Sequence, residues 1–64
     1  MKHQDPAPLA HPVPAACARL GVSRTTLYAL LAAGELRSFK VGAKTLISEA
    51  DLRKFVAEKL GEAA

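Results

Sequence analysis

With 64 residues the chain can build one domain at most, and its core will be thin. The net charge is +3 and there is one cysteine, so no intrachain disulfide can reinforce that core and a reducing cytoplasm is the expected setting. The longest unbroken apolar run, Leu27 to Ala33, is too short to span a bilayer, and Lys2 and His3 lead into Asp5 and prolines, not into the apolar core of a secretory leader.

Residues 1–12 hold three of the four prolines and show no periodicity, which predicts an extended or disordered arm. His3, His11 and Cys17 lack zinc-ligand spacing, so no metal is expected. A first helix is predicted over 14–20, with Pro14 suited to its first position. Val13, Cys17 and Leu20 recur at i, i+4, i+7 and are candidates for the core. Cys17 sits among alanines with no base beside it, the pattern of a small buried hydrophobe and not of a nucleophile. Arg19 points away, toward solvent or a phosphate.

Gly21 can take positive φ and so permits a sharp reversal after Leu20. Ser23 is a good N-cap for a second helix, in which Leu27, Leu30 and Leu31 form one stripe and Gly34 marks the stop. Two helices joined by so tight a glycine turn form a helix-turn-helix, whose second helix is the usual DNA reader. The first turn of that helix, Arg24-Thr25-Thr26, carries a cation and no carboxylate. Helix N-termini favour acids, so the choice costs about 0.3–1 kcal/mol in isolation. A phosphate docked on the free amides removes the conflict and recruits the three side chains as donors. Tyr28 has two readings, a ring against sugar or base and simple packing beside the first helix.

From residue 35 the period changes. Phe39 and Val41 alternate with Ser38 and Lys40, Gly42 opens a turn, and Thr45-Leu46-Ile47 returns, as in a two-stranded wing that projects Lys40 and Lys44. Two registers are open. A two-residue loop, Gly42-Ala43, gathers Phe39, Val41 and Leu46 inside; a three-residue loop through Lys44 gathers Phe39, Val41, Thr45 and Ile47 and leaves Leu46 outside. Two strands alone are barely stable in water, so the hairpin must pack on the helices. Ser48 then caps a last helix with Glu49 and Asp51 in its first turn. Leu52, Phe55, Val56 and Leu60 define its buried face, Arg53, Lys54, Glu58 and Lys59 its solvated surface, and Gly61 its end. The domain is thus expected over 13–60, with a tail over 61–64.

Charge is unevenly spread. Between residues 19 and 44, Arg19, Arg24, Arg37, Lys40 and Lys44 face Glu35 alone, whereas from residue 45 onward three cations face four acids. A basic excess on the helix-turn-helix and the segment after it suits a polyanion, nucleic acid above all, and with a helix-turn-helix the partner expected is double-stranded DNA. No paired carboxylates, activated nucleophile or phosphate-cradling glycine loop is present, so neither enzyme activity nor a cofactor or small-molecule ligand is expected.

Three pieces carry a family resemblance: the turn Leu20-Gly21-Val22-Ser23-Arg24, the exit Gly34-Glu35-Leu36, and Val41-Gly42 ahead of Ile47 and Asp51-Leu52. Over residues 13–57 the chain resembles the excisionase-type, MerR-like winged helix-turn-helix family. The resemblance implies a mainly α fold: two helices, a two-stranded β wing and a closing helix. It also implies that Ser23, Arg24, Thr25, Thr26 and Tyr28 approach the major groove while the wing tip meets backbone or minor groove. It favours the three-residue loop, because the family keeps an apolar residue where Ile47 stands. The family's wing is commonly richer in arginine and carries an aromatic after the turn; here Ala43, Lys44, Thr45 and Leu46 stand there, which marks Leu46 as a contact for a neighbouring protein. Similar small chains act as recombination directionality factors or phage-type transcription regulators in the cytoplasm, on the nucleoid, binding repeated sites cooperatively and bending DNA. An integrase or RNA polymerase is the protein partner these roles imply. A competing reading, drawn from the thinned wing and the proline-rich arm, is a protein-interaction module that keeps the helix-turn-helix shape.

Overall fold

The computed structural model describes residues 8–63. The element order is β1 (Ala10–Pro12), α1 (Val13–Leu20), α2 (Arg24–Ala32), β2 (Phe39–Val41), β3 (Lys44–Ser48) and α3 (Glu49–Ala63). This is a small, mostly helical winged helix-turn-helix. Its sheet has three antiparallel strands in the order β1-β3-β2, one more than expected. The extra strand comes from residues assigned by sequence to the arm: Ala10 pairs with Ser48, His11 with Ile47 and Pro12 with Leu46. Pro12 donates no ladder bond, which an edge strand tolerates. The Glu49 amide prolongs the ladder by donating to the Leu9 carbonyl at 2.8 Å.

The turn between α1 and α2 forms as the residues dictate. Gly21 has φ +77°, and its amide and that of Val22 both donate to the Cys17 carbonyl, at 2.8 and 3.0 Å. Ala33 and Gly34 close α2, with Gly34 donating to Leu31 and Glu35 to Leu30. That pair of bonds is a Schellman closure.

Val13, Ala16, Leu27, Leu36, Ile47 and Leu52 form the core, with Cys17, Leu20, Leu30, Leu31 and Phe55 packed around it. Ala16 and Leu36 were not among the sequence candidates. Ala16 is fully buried on α1, which packs against α2 and the sheet.

The wing corrects two expectations. Val41 pairs with Lys44 and Phe39 with Leu46, so the loop is the two-residue Gly42-Ala43 and not the three-residue loop that the resemblance favoured. Gly42 has φ +62° and Ala43 does not, the pattern of a II′ hairpin turn. Phe39, Val41 and Leu46 do share a face, but it is the outer one: Phe39 and Val41 are 43% and 59% exposed. The inner face belongs to Ile47 and His11. Ile47 anchors the middle strand under the helices. β2 hangs on the far edge, so its apolar pair cannot choose which face turns inward.

α3 also departs from expectation. It runs through Gly61, at an interior cost of about 1 kcal/mol relative to alanine. Only Leu52 of its stripe is buried; Phe55 is half-buried, and Val56 and Leu60 are exposed because the helix outruns the core. Lys59 is not simply solvated: its ammonium pairs with Glu35 at 2.8 Å and Glu62 at 3.3 Å and sits 5.6 Å from the Phe55 ring centre.

Candidate nucleic-acid interface

Every backbone amide in the first turn of a helix lacks an intrahelical acceptor. In α2, Ser23 Oγ accepts from the Thr26 amide at 3.2 Å and donates to Thr26 Oγ1 at 3.1 Å. The amides of Arg24 and Thr25 have no acceptor among the described residues. No acid occupies this first turn, whereas Glu49 and Asp51 stand in that of α3, where Ser48 Oγ accepts from the Asp51 amide at 3.0 Å.

The helical period sorts the α2 side chains. Leu27, Leu30 and Leu31 turn to the core, and Leu27 is fully buried. Arg24, Thr25 and Tyr28 share the outward face with Ala29 and Ala32, and all five are exposed. Tyr28 is 50% exposed, so its ring is available to a ligand. The two alanines leave that face low enough for a duplex to approach closely.

The cations divide by what they meet. Arg19 donates from Nε and a terminal nitrogen to the two Glu49 oxygens at 3.2 and 2.7 Å, so its guanidinium is engaged within the fold. Glu35, the lone acid of the basic segment, is likewise neutralised by Lys59. What remains is Arg24, Arg37, Lys40 and Lys44, all exposed and none in a salt bridge among the described residues. The basic excess of +4 (five cations less Glu35) therefore survives as four unpaired cations. Arg37 lies in the loop entering β2, and the register sends Lys40 and Lys44 to opposite faces of the wing. Ser23, Arg24, Thr25, Thr26 and Tyr28 are brought together on the first two turns of α2. Lys40 and Lys44 sit on a separate element tied to α2 through the shared core of Leu27 and Ile47.

A protein-family model described as a helix-turn-helix domain matches residues 13–60, three quarters of the sequence. The chain belongs to that helix-turn-helix family. No curated protein and no solved structure matches it. Helix-turn-helix domains of this family bind DNA, which accords with an α2 whose amino end is open, acid-free and carries the unpaired Arg24. No helix among the described residues is long and apolar enough to cross a membrane.

The contacts that hold this helix-turn-helix in place have no local signature in the sequence. Glu49 Oε1 accepts from His11 Nε2 at 2.7 Å, and Glu49 Oε2 accepts from Arg53 Nε at 2.8 Å. One carboxylate thus joins β1, α1 and α3. The hydrogen bonds from Arg19 first and His11 second hold its pKa down at about 2. His11 gave no signal beforehand, because its partner lies 38 residues away and no local pattern encodes that contact.

Proposed function

We propose that this helix-turn-helix protein binds double-stranded DNA in a sequence-specific way, as an excisionase-type recombination directionality factor that occupies repeated sites cooperatively and bends the duplex. Arg24, Thr25 and Tyr28 read the major groove, Ser23 and Thr26 hold the phosphate at the amino end of α2, and Arg37, Lys40 and Lys44 meet backbone. Arg19 serves from behind by orienting α1 against α3. The supporting observation is the pairing pattern: Arg19, Arg53 and Lys59 meet acids of the fold, and of the five described cations without a salt bridge, Arg24, Arg37, Lys40 and Lys44 lie between α2 and β3 and Lys54 alone on α3. A structural surface has no need to segregate its charges in this way, whereas a polyanion partner does.

A module of this size covers only about 600–1,000 Å² of its own surface on DNA, so a lone copy binds weakly and neighbours on adjacent sites help one another. Cooperative occupancy and bending are also what a phage-type transcription regulator needs, and an adjacent integrase gene would select the recombination role. The test is titration of duplexes selected from a random pool, on single and tandem sites, across salt. Three phosphates neutralised by Arg37, Lys40 and Lys44 predict a log–log salt slope of roughly −3. Absence of duplex binding in dilute buffer overturns the reading, and equal affinity per copy on one and two sites removes the cooperativity.

A further inference from the structure

The apolar stripe of α3 continues past the core that it seals. Val56 and Leu60, one and two turns beyond buried Leu52, are 43% and 67% exposed. With Leu20 at the end of α1 they floor an open groove of about 350 Å³. Full burial of such aliphatic side chains is worth about 1.5–3 kcal/mol each, so the groove is an incompletely used apolar surface.

The groove is charged at one end only. There Arg19 and Arg53 both donate to Glu49, so two guanidiniums meet one carboxylate and one positive charge is left over. Both remain accessible, with side chains 49% and 70% exposed. The acids nearest the other end do not face the groove. Glu62 is tied to Lys59, and Glu58 lines a separate cleft with Lys54 and Phe55. In two copies pairing their α3 stripes antiparallel, Arg53 of each would meet Leu60 of the other, where the neighbouring Glu62 is already tied to Lys59, so a second copy offers the poorer complement.

We infer that this groove docks an amphipathic helix of a partner protein. Apolar side chains of that helix, spaced i, i+4, i+7, lie on Leu20, Leu52, Val56 and Leu60, and an acidic residue at one end meets Arg53 and Arg19. The span from Leu52 to Leu60 is about 12 Å, enough for two to three turns of such a helix. The charge bias sets the polarity of docking, because only one orientation brings the carboxylate to the guanidiniums. This surface uses no side chain assigned to DNA recognition except Arg19, which acts there only through Glu49.

A displayed library of helical peptides of about five turns, randomised at apolar and charged positions, is panned on the folded full chain. The expected winners share the apolar spacing and carry Asp or Glu at one end. Leu60→Glu should weaken them roughly tenfold or more, without altering the melting curve or retention on duplex DNA, since Leu60 is 67% exposed. Arg53→Glu should shift the preference toward peptides with lysine at that end. Failure to select any binder, winners without an acidic bias, or winners indifferent to Leu60→Glu overturn the inference. So does sedimentation showing a dimer that Leu60→Glu dissolves, which assigns the groove to a second copy. Amide shifts at Val56 and Leu60 on adding duplex DNA alone overturn it as well.

Discussion

His11 and Glu49, 38 residues apart in the chain, meet through a 2.7 Å hydrogen bond that fastens the first strand to the start of the last helix. Arg19 and Arg53 close on the same carboxylate. Helix α1, which carries no acid in its own first turn, is thus oriented by a charge belonging to α3.

The carboxylate makes the fold sensitive to acid. Its pKa in the fold is about 2, against an ordinary 4.5, because Arg19 first and His11 second hydrogen-bond the charged form. A depressed pKa adds stability that is complete above the unfolded value and disappears as pH falls toward the folded one. Melting temperature should therefore fall between pH 4.5 and 2, and Glu49→Gln should lower it near neutrality while flattening that acid limb. Circular-dichroism melts of both proteins across this range are the check; parallel acid limbs would remove Glu49 from the account.

Ser23 has two tasks, one in the fold and one on DNA. Ser23→Ala removes the cap on the Thr26 amide and should cost about 0.5–2 kcal/mol in chemical denaturation. Ser23→Asp keeps a cap and should retain stability, yet it places a negative charge where a phosphate docks. Its duplex affinity should fall below that of the alanine variant. The reverse order of affinities would show that phosphate does not sit there.

Salt dependence separates the cations. Lys44→Ala should lower the magnitude of the log–log slope by about 1, and Arg24→Ala should lower it by less. Arg24→Ala should also reduce discrimination between selected and random duplexes, while Lys44→Ala weakens both alike. Arg19→Ala should act differently, lowering thermal stability with a smaller change in slope. Slopes measured by fluorescence anisotropy will show whether Arg19 is a phosphate contact after all.

The two faces of the wing differ in what they cost. Ile47 is fully buried, and Ile47→Ala should cost about 2–5 kcal/mol, enough to unfold much of so small a domain. Val41→Thr, on the outer face, should change stability by no more than about 0.5 kcal/mol. Equal and large losses from the two would return Val41 to the interior.

The amino-acid sequence is enough to account for the local events. The reversal at Gly21, the cap at Ser23, the acid-free start of α2, the stop at Gly34 and the cap at Ser48 each depend on residues within one turn of each other, so composition and spacing suffice. It also named Leu27, Ile47 and Leu52 as apolar candidates, and all three are core. The tertiary structure alone decided which face of the wing is inner, because one buried isoleucine on the middle strand outweighs two apolar residues on an edge strand. It decided that residues 10–12 form a strand, through pairing with residues 46–48. It also sorted the cations into engaged and available ones. Arg19 and Lys44 look alike in sequence, and only the arrival of Glu49 from a distant helix tells them apart, since an ion pair depends on distance in space and not along the chain.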